Sequence, residues 1–434
     1  MMHYFKRSNP KAITLQDTEQ KKFYKKLKWQ VFISATLGYG LYYVCRLSLN
    51  VVKKPMVDAG ILTESELGVI GSALFFAYAV GKLTNGFLAD HSNIKRFMAT
   101  GLLISALANL IMGFTGTFFF FAICWGVNGW VQSMGAPSCI VSLSRWYTDK
   151  ERGSFYGFWS TSHNIGEALT YVLTAVVVTY FGWEWGFRAA AIVGLFGALI
   201  ISLFFHDSPE SKGLPPVNED FKKEQVSTWD EQKGVLKNPY VWILAFASAF
   251  MYISRYAVNS WGPYYFEAAK GYTLTEANSL VAISAVCGIL GTASSGFVSD
   301  KFFKGRRNAP ALIFGLMNVL ALSLFLLLPE KIWWLDALSM VIFGLGIGAL
   351  ICYLGGLMAV DIASKKASGA ALGIVGVMSY AAAGIQDIAS GYLIENDKSL
   401  VDGVILYDFT SISIFWISAA VISVVLALFT WKKT

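Results

Sequence analysis

Long apolar stretches, separated by short polar ones, fill most of the chain. A helix needs about 20 consecutive apolar residues to cross the hydrocarbon core of a bilayer. Twelve stretches approach that length, and we number them spans 1 to 12: 29–52, 68–89, 97–117, 118–141, 155–180, 184–205, 240–265, 276–299, 309–328, 333–359, 370–394 and 408–430. The pattern therefore predicts an all-α, polytopic membrane protein with twelve transmembrane helices.

One long polar segment interrupts this series between spans 6 and 7. It carries three prolines and charges of both signs, which is typical of a linker. The predicted organisation is a basic amino-terminal tail (1–28), a six-helix bundle (29–205), a central linker (206–239) and a second six-helix bundle with a short tail (240–434).

The two sets of six spans repeat each other. Three motifs recur in one order at offsets of 209 to 212 positions: Tyr43, Arg46 and Asn50 as Tyr252, Arg255 and Asn259; Gly86 to Asp90 as Gly296 to Asp300; and Leu62-Thr-Glu64 as Leu274-Thr-Glu276. Parallel six-helix repeats are one of the main transporter architectures. The repetition predicts two pseudo-symmetric bundles with a site between them.

The distribution of Lys and Arg predicts the orientation in the membrane. Only 15% of the residues are charged, against about 25% in soluble domains. Most of the 35 basic residues lie in the two tails, the linker and the even-numbered loops, whereas the opposite side holds Lys53, Lys54, Arg188, Lys270, Lys331 and Lys398. By the positive-inside rule both termini are cytoplasmic, and short loops favour a bacterial inner membrane. The net charge of +7 is thus a topology signal, and no nucleic-acid partner is expected.

Composition and motifs also narrow the chemistry. The five cysteines lie in apolar spans without paired spacing, so neither disulfides nor a metal site are expected. No catalytic motif or nucleotide loop is present in the sequence. We therefore expect no enzyme activity, no cofactor and no metal.

Polar stripes on the spans are the candidate binding residues. Tyr39, Tyr43, Arg46 and Asn50 fall on one helical face of span 1, and span 7 repeats the stripe with Tyr252, Arg255 and Asn259. A charge inside a bilayer costs about 2.5–3.5 kcal/mol on insertion scales, so it usually serves a function. Two arginines related by duplication predict one anion held between matching halves. The alternative is that both are structural, each bridged to Glu167 or Asp387.

Further polar residues surround this stripe. His163 can change charge near neutral pH and is a candidate for substrate contact or proton coupling. Lys82 lies on a polar face of span 2, and Ser160 lies on the polar face of span 5 that carries His163. Lys82 could instead extend its amine toward the membrane surface. Glu167 and Asp387 are candidates for coupling or selectivity, and Asp90 and Asp300 for gating contacts on the cytoplasmic side.

The chain resembles the organophosphate:phosphate antiporters of the major facilitator superfamily over nearly its whole length. Their best-known members are bacterial glycerol-3-phosphate and hexose-phosphate carriers. The motifs that carry the resemblance are Gly38 to Arg46, Gly86 to Asn93, Lys150 to Gly153, Ser162-His163-Asn164, Tyr252 to Tyr256 and Ser364 to Ala367. The resemblance implies that Arg46 and Arg255 clamp a phosphoryl group, that His163 adjusts the site with Lys82 nearby, and that Tyr39, Tyr43, Tyr252 and Tyr380 line the cavity.

Two departures from the glycerol-phosphate members favour a larger substrate. Ala136 stands where those carriers have tryptophan, and Ser160 where they have asparagine. The resemblance thus implies exchange of a hexose 6-phosphate for inorganic phosphate, by a monomer in the lipid bilayer. Two alternatives stay open. One is a membrane sensor of external hexose phosphate with a histidine-kinase partner, and the other is a proton-coupled symporter of an organic anion.

Overall fold

The computed structural model describes residues 2–13, 16–217, 229–328, 330–362, 368–402 and 404–431. Within these ranges, ten helices are long and apolar enough to cross a membrane. Spans 1 and 4 are not among the ten, because span 1 carries Arg46 and several lysines and span 4 consists of two shorter helices. With them the described residues contain twelve spans, so the predicted all-α architecture is confirmed.

The first six spans are helices joined by short connections. Their bounds are Asp17–Asp58 for span 1, Glu64–His91 for span 2, Ile94–Met112 for span 3, Phe118–Gln132 with Gly135–Trp146 for span 4, Asp149–Ser160 with Ser162–Phe181 for span 5, and Trp183–Phe204 for span 6. Span 1 is much longer than predicted, because its helix continues into the basic tail at one end and past Lys53 at the other.

The second six spans follow the same plan. Their bounds are Pro239–Lys270 for span 7, Leu274–Phe302 for span 8, Asn308–Leu327 for span 9, Trp333–Cys352 continued through the π-helical turn Tyr353–Leu357 to Met358–Ile362 for span 10, Ser368–Asn396 for span 11 and Thr410–Leu428 for span 12.

Five short elements of the described residues lie outside the spans. Two helices, Met2–Phe5 and Trp229–Lys237, and a 3₁₀ turn, Glu210–Lys212, belong to the tail and the linker. An antiparallel hairpin of Lys398–Val401 and Val404–Tyr407 joins spans 11 and 12, with Lys398 opposite Tyr407. Residues 218–228 of the linker and the motif Ser364 to Ala367 lie outside the described residues. The domain boundaries therefore stay predictions.

Matching caps begin spans 2 and 8. The Thr63 hydroxyl accepts from the Glu66 amide while the Glu66 side chain accepts from the Thr63 amide, and Thr273 and Glu276 form the same capping box. Thr63 and Thr273 are 210 positions apart, as are Asp90 and Asp300. The predicted equivalence of Leu62-Thr-Glu64 with Leu274-Thr-Glu276 was therefore wrong by two residues, and the corrected match makes the duplication more regular.

Span 4 is broken at Ser133–Met134, which the apolar pattern did not predict. Pro137 has no backbone N–H, so it cannot bond to the carbonyl of Ser133 one turn earlier. The Ser133 hydroxyl instead donates to the Trp130 carbonyl at 2.7 Å. The break divides span 4 into two helices, and the second one, Gly135–Trp146, lies on the membrane side that holds the termini.

Each half packs its six helices in the same way. In the first half span 1 packs on spans 5 and 6, and span 2 on span 4; in the second half span 7 packs on spans 11 and 12, and span 8 on span 10. Small residues permit the closest approaches. A Cβ at Gly348 of span 10 would lie 2.3 Å from the Gly288 carbonyl oxygen of span 8, so only glycine fits there.

The two halves meet along three pairs of spans: 1 with 7, 2 with 11, and 5 with 8. We call the membrane side that holds the tails and linker the terminal side, and the opposite one the far side. On the far side the halves touch through Glu64 and Gly391 and through Thr179 and Thr275. Toward the terminal side, Tyr156 and Phe158 of span 5 are exposed. The described structure is thus closed on the far side.

Candidate functional site

A buried polar network fixes the rotation of span 1. The amides of Asn109 and Asn128 both donate to the Cys45 carbonyl at 2.9 Å, and the Gln132 amide donates to the Tyr42 carbonyl at 2.9 Å. Buried amides are costly unless they are bonded, so these contacts specify one orientation of the helix. Arg46, which follows Cys45, is thereby directed away from spans 3 and 4 and toward the second half.

Arg46 is 3% exposed and lies among tyrosines. Its Nη2 donates to the Tyr256 hydroxyl of span 7 at 3.3 Å. Its guanidinium carbon lies 4.3 Å from the centre of the Tyr78 ring and 5.5 Å from the centres of the Tyr43 and Tyr380 rings. Within the described residues no carboxylate pairs with Arg46, and its Nε has no hydrogen-bond partner. Its charge and one donor are therefore available to an anion.

Arg255 differs from Arg46 in having an acidic neighbour. Its Nη2 is 3.8 Å from Oε2 of Glu167, which is too far for a hydrogen bond but close enough for an ion pair. At an effective dielectric of about 20, two unit charges at that distance attract by about 4 kcal/mol before desolvation is counted. Its guanidinium carbon lies 5.3 Å from the centre of the Tyr256 ring. Tyr256 thus contacts both arginines, one from each half.

The predicted tyrosines line the space around these two guanidiniums. The Tyr252 and Tyr380 ring centres are 5.4 Å apart, and the Tyr78 ring lies 4.4 Å from that of Tyr380. Tyr39 sits one turn farther toward the terminal side, 5.7 Å from the Tyr43 ring. Aromatic rings of this kind provide neutral donors and cation–π contacts without adding charge.

Two tyrosines of this cage were missing from the predicted set. Tyr78 shares a helix face with Lys82, and Tyr256 directly follows Arg255. Both signals were present in the sequence, but only the packing of span 1 against spans 2 and 7 shows that these rings reach Arg46.

His163, Ser160 and Lys82 lie at the terminal-side edge of the cage. The His163 ring is half-buried, 5.7 Å from the Tyr43 ring, and its Nδ1 is bonded to the Ser160 carbonyl. The Ser160 hydroxyl donates to the Gly157 carbonyl at 2.7 Å. Lys82 is exposed, with its ammonium 5.5 Å from the Tyr380 ring centre. These side chains would meet a substrate that enters from the terminal side.

Asn50 and Asn259 form the far-side floor of the site. The Asn50 amide donates to the Asn259 carbonyl at 2.9 Å, and the Tyr171 hydroxyl donates to the same oxygen at 2.5 Å. The Asn259 amide donates to Glu167. The duplicated asparagines therefore bond the two halves together on the far side of the arginines, and contact of either with an anion stays a prediction.

Asp387 does not balance an arginine. Its Oδ1 lies 3.3 Å from the Lys53 ammonium and accepts from the Ser260 hydroxyl at 2.6 Å and the Trp261 indole at 2.7 Å. Lys53 and Asp387 come from opposite halves and are 0% and 1% exposed. The sequence assigned Lys53 to a loop on the far side, and this was wrong, because the residue is buried within span 1. The pair lies one layer below the asparagines.

A second charged layer closes the far-side mouth. The Glu64 carboxylate of span 2 accepts from the Lys398 ammonium of the hairpin at 2.7 Å and from the Tyr264 hydroxyl of span 7 at 2.8 Å. The Tyr407 hydroxyl donates to the same carboxylate at 3.0 Å. In this layer the first half supplies the acid, whereas in the Lys53 layer it supplies the base.

Asp90 and Asp300 lie on the terminal side, each in a network of its own half. Arg145 donates to the Asp90 backbone carbonyl at 3.3 Å and to the Asp207 carboxylate at 2.6 Å. The Asp300 carboxylate accepts from Arg307 at 2.8 Å. Among the described residues neither aspartate links the two halves, so a gating role for them stays a prediction.

The chain is similar to known transport proteins. Residues 32–386 match the profile described as Major Facilitator Superfamily. The chain is 35% identical over 383 residues to a probable hexose phosphate transport protein of Chlamydia muridarum, covering 83% of each chain. It is 31% identical over 374 residues to the membrane sensor protein UhpC of Salmonella typhimurium, covering 83% of this chain and 84% of the other.

One solved structure shows the same fold. A bacterial homolog of the human lysosomal transporter Spinster, in an inward-facing and unoccupied conformation, superimposes with a TM-score of 0.74. The match covers 94% of this chain and 97% of that one, at 16% sequence identity. This likeness concerns the fold alone.

Proposed function

Because the chain belongs to the Major Facilitator Superfamily and, within it, to the organophosphate:phosphate antiporters, we propose that it carries an organic phosphate across the membrane in exchange for inorganic phosphate. The family consists of transporters, so the predictions of an integral membrane protein and of no enzyme activity are confirmed. One observation carries the proposal: Arg46 and Arg255, buried and from opposite halves, both contact Tyr256.

A phosphoryl group suits this arrangement. A guanidinium presents paired donors in a plane, which match two phosphate oxygens, and it stays charged at every physiological pH. The unpartnered Nε of Arg46 supports an anion on that side. The hydroxyls of the surrounding tyrosines can donate to the remaining oxygens. The anion would then be held by both halves at once.

Exchange follows from the charge of the empty site. Without an anion, Arg46 lacks a carboxylate partner among the described residues. Closing the terminal side would place this charge in a narrow, water-poor space, which is unfavourable. A bound anion removes that penalty whether the terminal side or the far side closes. The halves therefore change state with a phosphate bound and much more slowly when empty.

Alternating access requires the far side to open. The charged contacts among those that keep it closed in this structure include the Lys53–Asp387 and Glu64–Lys398 pairs, each joining one half to the other. Opening would separate both pairs and admit water to all four groups. By the positive-inside rule the terminal side faces the cytoplasm, so the structure corresponds to a state that binds substrate from inside the cell.

A hexose 6-phosphate is the organic substrate that we propose. By the resemblance, Ala136 and Ser160 stand where the glycerol-phosphate carriers have larger residues, which supports a larger organic group. The relative from Chlamydia muridarum is named a probable hexose phosphate transport protein. A sugar with its phosphate on Arg46 and Arg255 would place its hydroxyls near His163 and Lys82.

Counterflow in proteoliposomes tests the exchange directly. Purified protein is reconstituted into vesicles loaded with inorganic phosphate, and uptake of labelled glucose 6-phosphate, glycerol 3-phosphate and 3-phosphoglycerate is measured. We expect glucose 6-phosphate to enter fastest, and only when phosphate is present inside. Uptake that is independent of internal phosphate would overturn the exchange.

The similarity to a membrane sensor favours one rival function. A sensor would bind hexose phosphate with the same arginines but need not move it across the membrane. It would be identified by saturable binding of glucose 6-phosphate to purified protein that shows no counterflow with any phosphate. In that case a kinase partner would replace exchange as the output.

A further inference from the structure

Glu167 is the one carboxylate that faces the arginine pair in the described part of the chain. It is 3% exposed, lies 3.8 Å from Arg255, and accepts one hydrogen bond, from Asn259. A buried carboxylate normally has more partners, since each unmet acceptor is costly. Glu167 is thus weakly held, between Arg255 and the Asn259 amide of the far-side floor.

The charges of the site can be counted. Lys53 and Asp387 cancel, because they pair with each other. Arg46 and Arg255 with Glu167 then leave one net positive charge, and exposed Lys82 stands at the edge. A phosphate ester near neutral pH carries between about one and a half and two negative charges. The ionised site is therefore matched to a monoanion and is one charge short for a dianion.

We propose that Glu167 is an exchangeable counterion, and that it takes up one proton from solution when a dianion binds to Arg46 and Arg255. The dianion displaces the carboxylate from Arg255. The freed carboxylate becomes a neutral acid, and the site then offers two positive charges to two negative ones. A monoanion binds without this proton. The inference rests on the proposed function, because it assumes that phosphate occupies the arginine pair.

The groups around Glu167 define what else could titrate. Arg255 faces it from span 7 and Arg46 and Tyr43 from span 1, while His163 and Tyr171 lie on its own span. Span 8 contributes Ser284 to a cavity beside it that has room for about one water molecule. A water molecule in that cavity would deliver the proton to Glu167. His163 is the member of this set whose ordinary pKa lies nearest neutral pH, so its contribution must be tested separately.

Sulfate is the probe that separates the protein's proton from the substrate's, because it remains a dianion throughout the working range. Self-exchange of labelled inorganic phosphate is measured from pH 6 to 8, with sulfate as competitor. In the natural protein we expect the inhibition constant of sulfate to rise with pH, approaching tenfold per unit. In Glu167→Gln it should be independent of pH and at least tenfold lower at pH 8.

His163→Asn is the matched control on the same span and should keep the pH slope of the natural protein. A slope that persists in Glu167→Gln, or disappears in His163→Asn instead, overturns the proposal. The proposal is also overturned if sulfate inhibits neither the natural protein nor Glu167→Gln. Inhibition of Glu167→Gln alone supports it, because that variant has the extra positive charge permanently.

A second measurement needs no variant. Sulfate is added to the natural protein in a weak buffer at pH 7.5, and a pH-sensitive dye reports proton uptake. The protein should take up close to one proton per site. Sulfate binding without proton uptake would overturn the inference. Complete absence of phosphate self-exchange in the natural protein, with normal proton uptake, would contradict the proposed function and leave the counterion role standing.

Discussion

Replacing Asp387 with asparagine tests the inner far-side pair. The substitution keeps the shape and one acceptor oxygen for Ser260 and Trp261, but it removes the charge beside Lys53. Lys53 is 0% exposed and would remain as an unpaired cation between spans 1, 7 and 11. Removing one partner of a buried ion pair typically costs about 3–5 kcal/mol. The penalty falls on the far-side-closed state alone, because opening gives Lys53 access to water.

The expected shift follows from this difference. At about 1.4 kcal/mol per factor of ten, Asp387→Asn should move the equilibrium toward the far-side-open state by about 10² to 4 × 10³-fold. Spin labels at Thr117 and Glu330, exposed far-side positions in opposite halves, report the opening in a background without the native cysteines. Electron–electron distance measurements should show a longer distance that dominates in the variant.

The double variant Lys53→Met/Asp387→Asn is the control, since it removes both charges and should restore the short distance. The reasoning is refuted if Asp387→Asn has the same distance distribution as the natural protein. It is equally refuted if the double variant opens as much as the single one, because then the unpaired charge is not the cause.

Three further outcomes are expected. Gly71→Ala would place a methyl group against Oδ2 of Asp387, so it should lengthen the same label distance, whereas Gly86→Ala, which meets nothing within 4 Å, should not. Arg145→Met breaks the pair with Asp207 on the terminal side, so it should lower the melting temperature in detergent with little change in phosphate affinity. Burial and the nearby Lys212 and Lys95 lower the pKa of His206 to about 4 from its ordinary value near 6.5. As the pH falls, the unfolded chain binds this proton at a higher pH than the folded chain does. The folded state therefore keeps its full stability above pH 6.5 and loses part of it toward pH 4. The melting temperature of His206→Asn should fall less steeply over that range.

The apolar pattern was sufficient for the architecture. Twelve stretches gave twelve spans, and the duplicated Tyr, Arg and Asn residues predicted which helices meet at the centre. The reason is physical: in lipid every backbone group must be bonded within the chain, so long apolar segments can only be helices. Bounds were less accurate, since the helix of span 1 continues past Lys53 to Asp58.

The site was predicted only in part. Arg46 and Arg255 carry a signal because a charge in an apolar span is rare. Lys53 carried none, because it adjoins Lys54 at the end of a span and its partner Asp387 is 334 positions away. Likewise, the contrast between Arg46, without a carboxylate, and Arg255, beside Glu167, depends on helix packing that spacing alone does not determine.

In the proposed site, two guanidiniums from opposite halves hold one phosphate. Phosphate self-exchange in proteoliposomes, measured for Arg46→Lys, Arg255→Lys and the double variant, tests it most directly. Lysine keeps the charge but loses the paired donors, and hydrogen bonds to charged groups contribute about 1.5–3 kcal/mol each. We expect each single variant to lose about tenfold to a hundredfold in apparent affinity and the double variant to lose exchange. Arg188→Lys should retain it, because Arg188 lies outside the site and donates to the Gly113 carbonyl. Near-normal exchange by the double variant would contradict the account.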